Sequence, residues 1–105
     1  MIEQLVDQIE TRFSELESQM SDPEVIADRG RYAEVGREYR QLREARELAG
    51  EWRRLSDDLE GARELLAEDG DDPELKKVVA EAPGRLEELA EQIRLAMVER
   101  DPNDD

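Results

Sequence analysis

Arginines at positions 37, 40, 43 and 46 stand three residues apart. On a helix this spacing brings successive guanidinium groups close together, and guanidinium forks bind phosphate oxygens and carboxylates. The ladder winds back by roughly 60° per step, so no single face of an ideal helix holds all four. The plain reading is a salt-bridged helix surface, with Arg40–Glu44 and Arg43–Glu47 paired at i, i+4 for about 0.2–0.5 kcal/mol each. The functional reading is a contact for RNA or for an acidic protein. The acidic pairs Asp57-Asp58, Asp71-Asp72, Glu87-Glu88 and Asp104-Asp105 suggest carboxylate or metal chemistry at first sight. Neighbours on a helix point about 100° apart and do not converge on one ion. The stretch 69–74, DGDDPE, is too short for a calcium loop. No metal site is expected.

The residues that are missing narrow the chemistry further. The chain has neither His nor Cys. That removes the usual zinc and iron ligands, the Ser-His and Cys-His nucleophile pairs, disulfides, and a proton shuttle near neutral pH. The six glycines follow no phosphate-loop spacing, so no cofactor or small-molecule substrate is expected. Phe13, Tyr32, Tyr39 and Trp52 are few and lie on helical seams, which assigns them to core packing rather than base stacking. The longest apolar run, Leu95–Val98, is far too short to cross a membrane, and the start MIEQLVDQIE has no signal-peptide character.

The elements that must carry the ladder follow from composition and period. In 105 residues there are 30 acids and 15 bases, a net charge of -15, and only 37% apolar residues. Such a chain buries its apolar side chains as narrow stripes along helices, not as a round core. Charge is uneven: residues 1–28 carry -7, residues 29–54 carry +3, and residues 55–105 carry -11. Only the middle segment is free to meet a polyanion.

Ile2, Val6, Ile9, Phe13, Leu16 and Met20 form a heptad seam and predict a helix over about 2–20. Asp22 and Pro23 start a short helix over about 23–29, which Gly30 is expected to terminate in a left-handed conformation. Residues 31–68 contain no proline and predict one long helix. Its seam changes frame between Leu42 and Leu48, as expected if different helices pack on its two halves. Asp72-Pro73 starts a last helix over about 73–100, whose seam from Leu75 to Ala96 keeps phase across Pro83. That predicts a kink there and not a stop. The expected fold is all-α: an elongated antiparallel three-helix bundle with one long central helix and a short helix after the first.

The stretch Met20–Leu42, MSDPEVIADRGRYAEVGREYRQL, resembles the N-terminal domain of bacterial class I peptide-chain release factors, more closely the type that reads UAA and UAG. Ser21–Asp28, Arg31-Tyr32 and Arg37-Glu38-Tyr39 carry the resemblance, with the tail Arg100–Asp105. It implies a cytoplasmic role in translation termination. It further implies contact with the ribosomal stalk base, both its protein and its RNA, and with the GTPase that recycles the factor. The Arg37, Arg40, Arg43 and Arg46 ladder is the candidate contact. This family hydrolyses peptidyl-tRNA through a Gly-Gly-Gln loop and reads the stop codon with a tripeptide. Neither is present, so residues 1–105 are expected to be a non-catalytic N-terminal piece, without the codon-reading and catalytic domains. Two other readings stay open: the coiled-coil arm of an aminoacyl-tRNA synthetase, and a generic helical scaffold.

Overall fold

The computed structural model describes residues 1–99; the expected helix end near Arg100 and the tail to Asp105 lie outside the described residues. Four helices follow in order: α1 (Ile2–Met20), α2 (Pro23–Ala27), α3 (Arg29–Glu68) and α4 (Pro73–Glu99). There is no strand among the described residues. The all-α expectation holds. The molecule measures 59 × 28 × 19 Å. A 40-residue helix at 1.5 Å per residue is about 60 Å long, so α3 sets the long axis.

The starts of α2, α3 and α4 are explained by their first residues, whereas α1 begins after Met1 with no side-chain cap. Asp22 Oδ1 accepts from the Glu24 amide at 2.9 Å, and Pro23 follows at the position where a missing N–H costs nothing. The same device recurs at Asp72, whose Oδ1 accepts from the Glu74 amide at 2.9 Å ahead of α4. Between α2 and α3 the structure departs from the expectation for Gly30. No described residue has a positive φ, and Gly30 lies in the first turn of α3. Asp28, with extended backbone at φ -97, closes α2 and opens α3, its carboxylate accepting from the Arg31 amide at 3.2 Å. One extended, side-chain-capped residue makes the turn, so no left-handed residue is needed. α4 runs through Pro83 without interruption.

The packing explains the shifted seam. α1 and α4 both lie antiparallel on α3, which is the main packing partner of each. Val6, Ile9 and Leu16 of α1 and Leu89, Ile93 and Ala96 of α4 join Val35, Leu42, Ala45, Ala49 and Trp52 of α3 in one core. Val25 of α2 closes that core at one end with no exposure. Ala45 and Ala49, both fully buried, occupy the stretch where the frame changes. Two helices press on α3 there, and small side chains let both approach. Beyond it, Leu59, Ala62 and Ala82 are buried on the two-helix arm formed by α3 and α4. Each of the largest buried side chains, Ile9, Leu16, Leu42, Leu89 and Ile93, contributes about 1.5–3 kcal/mol. Tyr32 departs from the core assignment made for it: at 39% exposure it faces solvent. It sits in the first turn of α3, beyond the reach of the bundle core.

Candidate functional site

The ladder lies on the first half of α3, the half that α1 and α2 pack against. The structure divides it. Arg37, Arg40 and Arg43 are exposed, whereas Arg46 is half-buried. The Arg46 guanidinium stands 5.7 Å from the centre of the Phe13 ring, a cation–π contact worth about 0.5–1 kcal/mol. Phe13 stacks on Tyr39 with centroids 4.7 Å apart and an interplanar angle of 25°. Arg46 therefore belongs to the α1–α3 seam. Its path crosses Gly50, where an added Cβ would come within 3.0 Å of its NH1. The other three arginines span an arc of roughly 120° on the side of α3 away from the core.

Arg37, Arg40 and Arg43 make no ion pair among the described residues. The pairs Arg40–Glu44 and Arg43–Glu47 expected on a salt-bridged surface do not form. The arginines that do pair lie elsewhere. Arg12 of α1 grips Glu38 of α3 with both prongs, Nε to Oε2 at 2.6 Å and NH2 to Oε1 at 2.7 Å. Arg53 of α3 holds Glu10 at 2.8 Å and also Asp7, both on α1. Arg85 of α4 reaches Glu51 of α3 at 3.4 Å. Hydrogen bonding to Glu38 holds the Arg12 guanidinium above the ordinary arginine range, and Glu10 and then Asp7 do the same for Arg53. A raised cation pKa contributes stability that is complete below the unfolded value and is lost only above the arginine range. Neither guanidinium titrates near neutral pH. These clamps fix the register of α1 on α3. Their members are 26 to 46 residues apart in sequence, and no local spacing announces them.

The grooves between helices are shallow and open to solvent. The one between α1, α3 and α4, about 410 Å³, is floored by Ile2, Trp52, Leu86 and Ala90 and rimmed by Glu87, Glu91 and Arg94. Among the described residues, no three acidic side chains converge to hold a metal ion. No described helix is long and apolar enough to cross a membrane. What the arrangement offers chemically is an elongated helical body whose Arg37, Arg40 and Arg43 are exposed and unpaired among the described residues of an acidic molecule.

The model of the PCRF domain matches residues 9–105. Peptide chain release factor 1 of Thermus thermophilus is 38% identical over 104 residues, covering 95% of this chain and 28% of that protein. The protein of the same name from Lactobacillus delbrueckii is 34% identical over the same coverage. That of Leifsonia xyli is 43% identical over 93 residues, 86% of this chain and 24% of that protein. The chain thus spans about a quarter of the length of the relatives it matches. No solved structure matched it. With four helices in this order and a match from residue 9 to residue 105, the chain belongs to the PCRF domain family, the N-terminal domain of bacterial class I peptide chain release factors.

Proposed function

We propose that residues 1–105 act as one non-catalytic domain of a cytoplasmic translation termination factor and dock it on the ribosome. In this reading the domain meets the stalk base of the large subunit, its protein and its RNA, and offers a surface to the class II release-factor GTPase. Codon reading and peptidyl-tRNA hydrolysis belong to other parts of such a factor. One observation carries the reading: in a PCRF-family chain of net charge -15, Arg37, Arg40 and Arg43 stand exposed with no ion-pair partner among the described residues. Exposed pairs are worth about 0–1 kcal/mol, so leaving these three unpaired costs the fold little and keeps them available. Family membership favours this reading over a synthetase arm or a generic scaffold.

The test is co-sedimentation of the 105-residue chain with large ribosomal subunits at low salt. Arg40→Glu with Arg43→Glu should weaken binding at least about tenfold, roughly 1.4 kcal/mol, with an unchanged helical spectrum and melting temperature. Unchanged affinity in the double variant would remove the ladder from the contact. Failure of the parent chain to bind the subunits would remove the reading itself.

A further inference from the structure

A second groove, to which α1 contributes no residue, runs between α3 and α4. It consists of two open hollows. The first, about 360 Å³, lies between Glu44 and Leu48 of α3 and Gln92, Leu95 and Ala96 of α4. The second, about 330 Å³, lies between Leu55 and Asp58 of α3 and Arg85 and Leu89 of α4, with Glu51 and Arg54 at its edge. On α3 the groove repeats every seven residues. Leu48 and Leu55, both half-buried, form its floor, and Glu44, Glu51 and Asp58, all exposed, form its edge. Seven residues span about 10.5 Å of helix and drift by only about 20°, so each row keeps its direction. From α4 comes Leu95, 54% exposed although Ile93 and Ala96 beside it are buried. Arg85 reaches Glu51 at 3.4 Å and Glu88 at 3.7 Å. Exposed pairs of this kind contribute little, so a competing cation displaces them readily. Glu44, Glu51, Asp58 and Glu88 outnumber the bases Arg54 and Arg85.

We propose that this groove seats an amphipathic helix of a partner protein, apolar along one seam and carrying Lys or Arg every seven residues beside it. The seam packs on Leu48, Leu55 and Leu95, and the cations meet Glu44, Glu51 and Asp58. The match is one of period as well as sign. A helix laid along α3 repeats its own side chains at about the same 10.5 Å step, so apolar contacts and ion pairs form in one register. An apolar floor with a charged edge is also the anatomy of a protein interface. Nucleic acid is excluded by the acidic edge. A second copy of the chain is a poor occupant, because two molecules of net charge -15 would bring acid against acid along the groove. Arg37, Arg40 and Arg43 do not line this groove, and the proposal does not depend on the ribosomal reading.

The probe is a synthetic three-heptad peptide with Leu at its a and d positions and Lys at e and g, titrated onto the isotopically labelled 105-residue chain and followed by amide chemical shifts. The shifts should centre on Leu48, Leu55, Gln92 and Leu95. A scrambled peptide of the same composition should bind at least about tenfold more weakly, since it keeps the charge and loses the seam. Leu95→Ala should weaken binding at least about fivefold. Glu51→Gln with Asp58→Asn should weaken it by a similar factor and reduce its salt dependence. Val98→Ala, an exposed α4 residue that does not line the groove, should leave it unchanged. No binding of the peptide, equal binding of the scrambled one, or parent affinity in Leu95→Ala would overturn the proposal. So would shifts centred on Ile2, Trp52 and Ala90, which line the groove beside α1. A chain that sediments as a dimer and becomes monomeric in Leu95→Ala would also overturn it, by giving the groove to a second copy.

Discussion

Ile93→Ala is expected to lower the unfolding free energy by about 2–5 kcal/mol. Ile93 has no exposure and belongs to the core shared by all four helices, with Trp52 and Leu89 in the same cluster. Truncation removes the transfer energy of the lost atoms and leaves a cavity that the packed helices have little freedom to collapse into. A domain of this size has about 5–15 kcal/mol in total, so Ile93→Ala with Ile9→Ala should leave the chain largely unfolded at 37 °C. Leu95→Ala, two residues along the same helix but 54% exposed, is the control and should change stability by less than about 0.5 kcal/mol. Urea titration followed by helical circular dichroism measures all three. Equal effects at Ile93 and Leu95 would mean that α4 does not present the face described here to α3.

Pro83→Ala is expected to raise stability by about 1–3 kcal/mol. Proline inside a helix lacks the N–H that would bond the carbonyl four residues earlier, here that of Val79, and its ring crowds that carbonyl. Pro83 itself is exposed, so its removal takes little from the core, while Ala82 beside it stays buried against the arm. The gain is read as a higher urea midpoint at unchanged m-value. A loss of stability instead would show that α4 must bend at Pro83 to follow α3, and that the bend is worth more than the missing hydrogen bond.

Much of this architecture is legible in the residues. The seam from Ile2 to Met20 gives α1, and Asp22-Pro23 and Asp72-Pro73 give the starts of α2 and α4, because caps and periods are local. The frame change between Leu42 and Leu48 points to two partners for α3. The residues that accommodate them, Ala45 and Ala49, escape a search for large apolar side chains, since their value lies in being small. The sequence places the turn after α2 at Gly30, because glycine permits a left-handed residue, but the capping carboxylate of Asp28 makes the turn with extended backbone. The candidate site shows the same division. Spacing finds Arg37, Arg40, Arg43 and Arg46, but only the approach of α1 reveals that Arg46 is spent on Phe13. The clamps Arg12–Glu38 and Arg53–Glu10 join different helices and have no signature in local spacing.

These parts make one physical account. Three long helices bury a thin shared core, cross-helix ion pairs set their register, and one side of α3 is left cationic on an acidic rod. Among the described residues the grooves between helices are shallow and open to solvent, and in the proposed reading such an object positions a larger factor. The most direct check is a single-turnover peptide-release assay with ribosomes halted at a UAA codon, carrying labelled peptidyl-tRNA, mixed with a large excess of the 105-residue chain. The account predicts release at the spontaneous rate. Stop-codon-dependent release by this chain would contradict it.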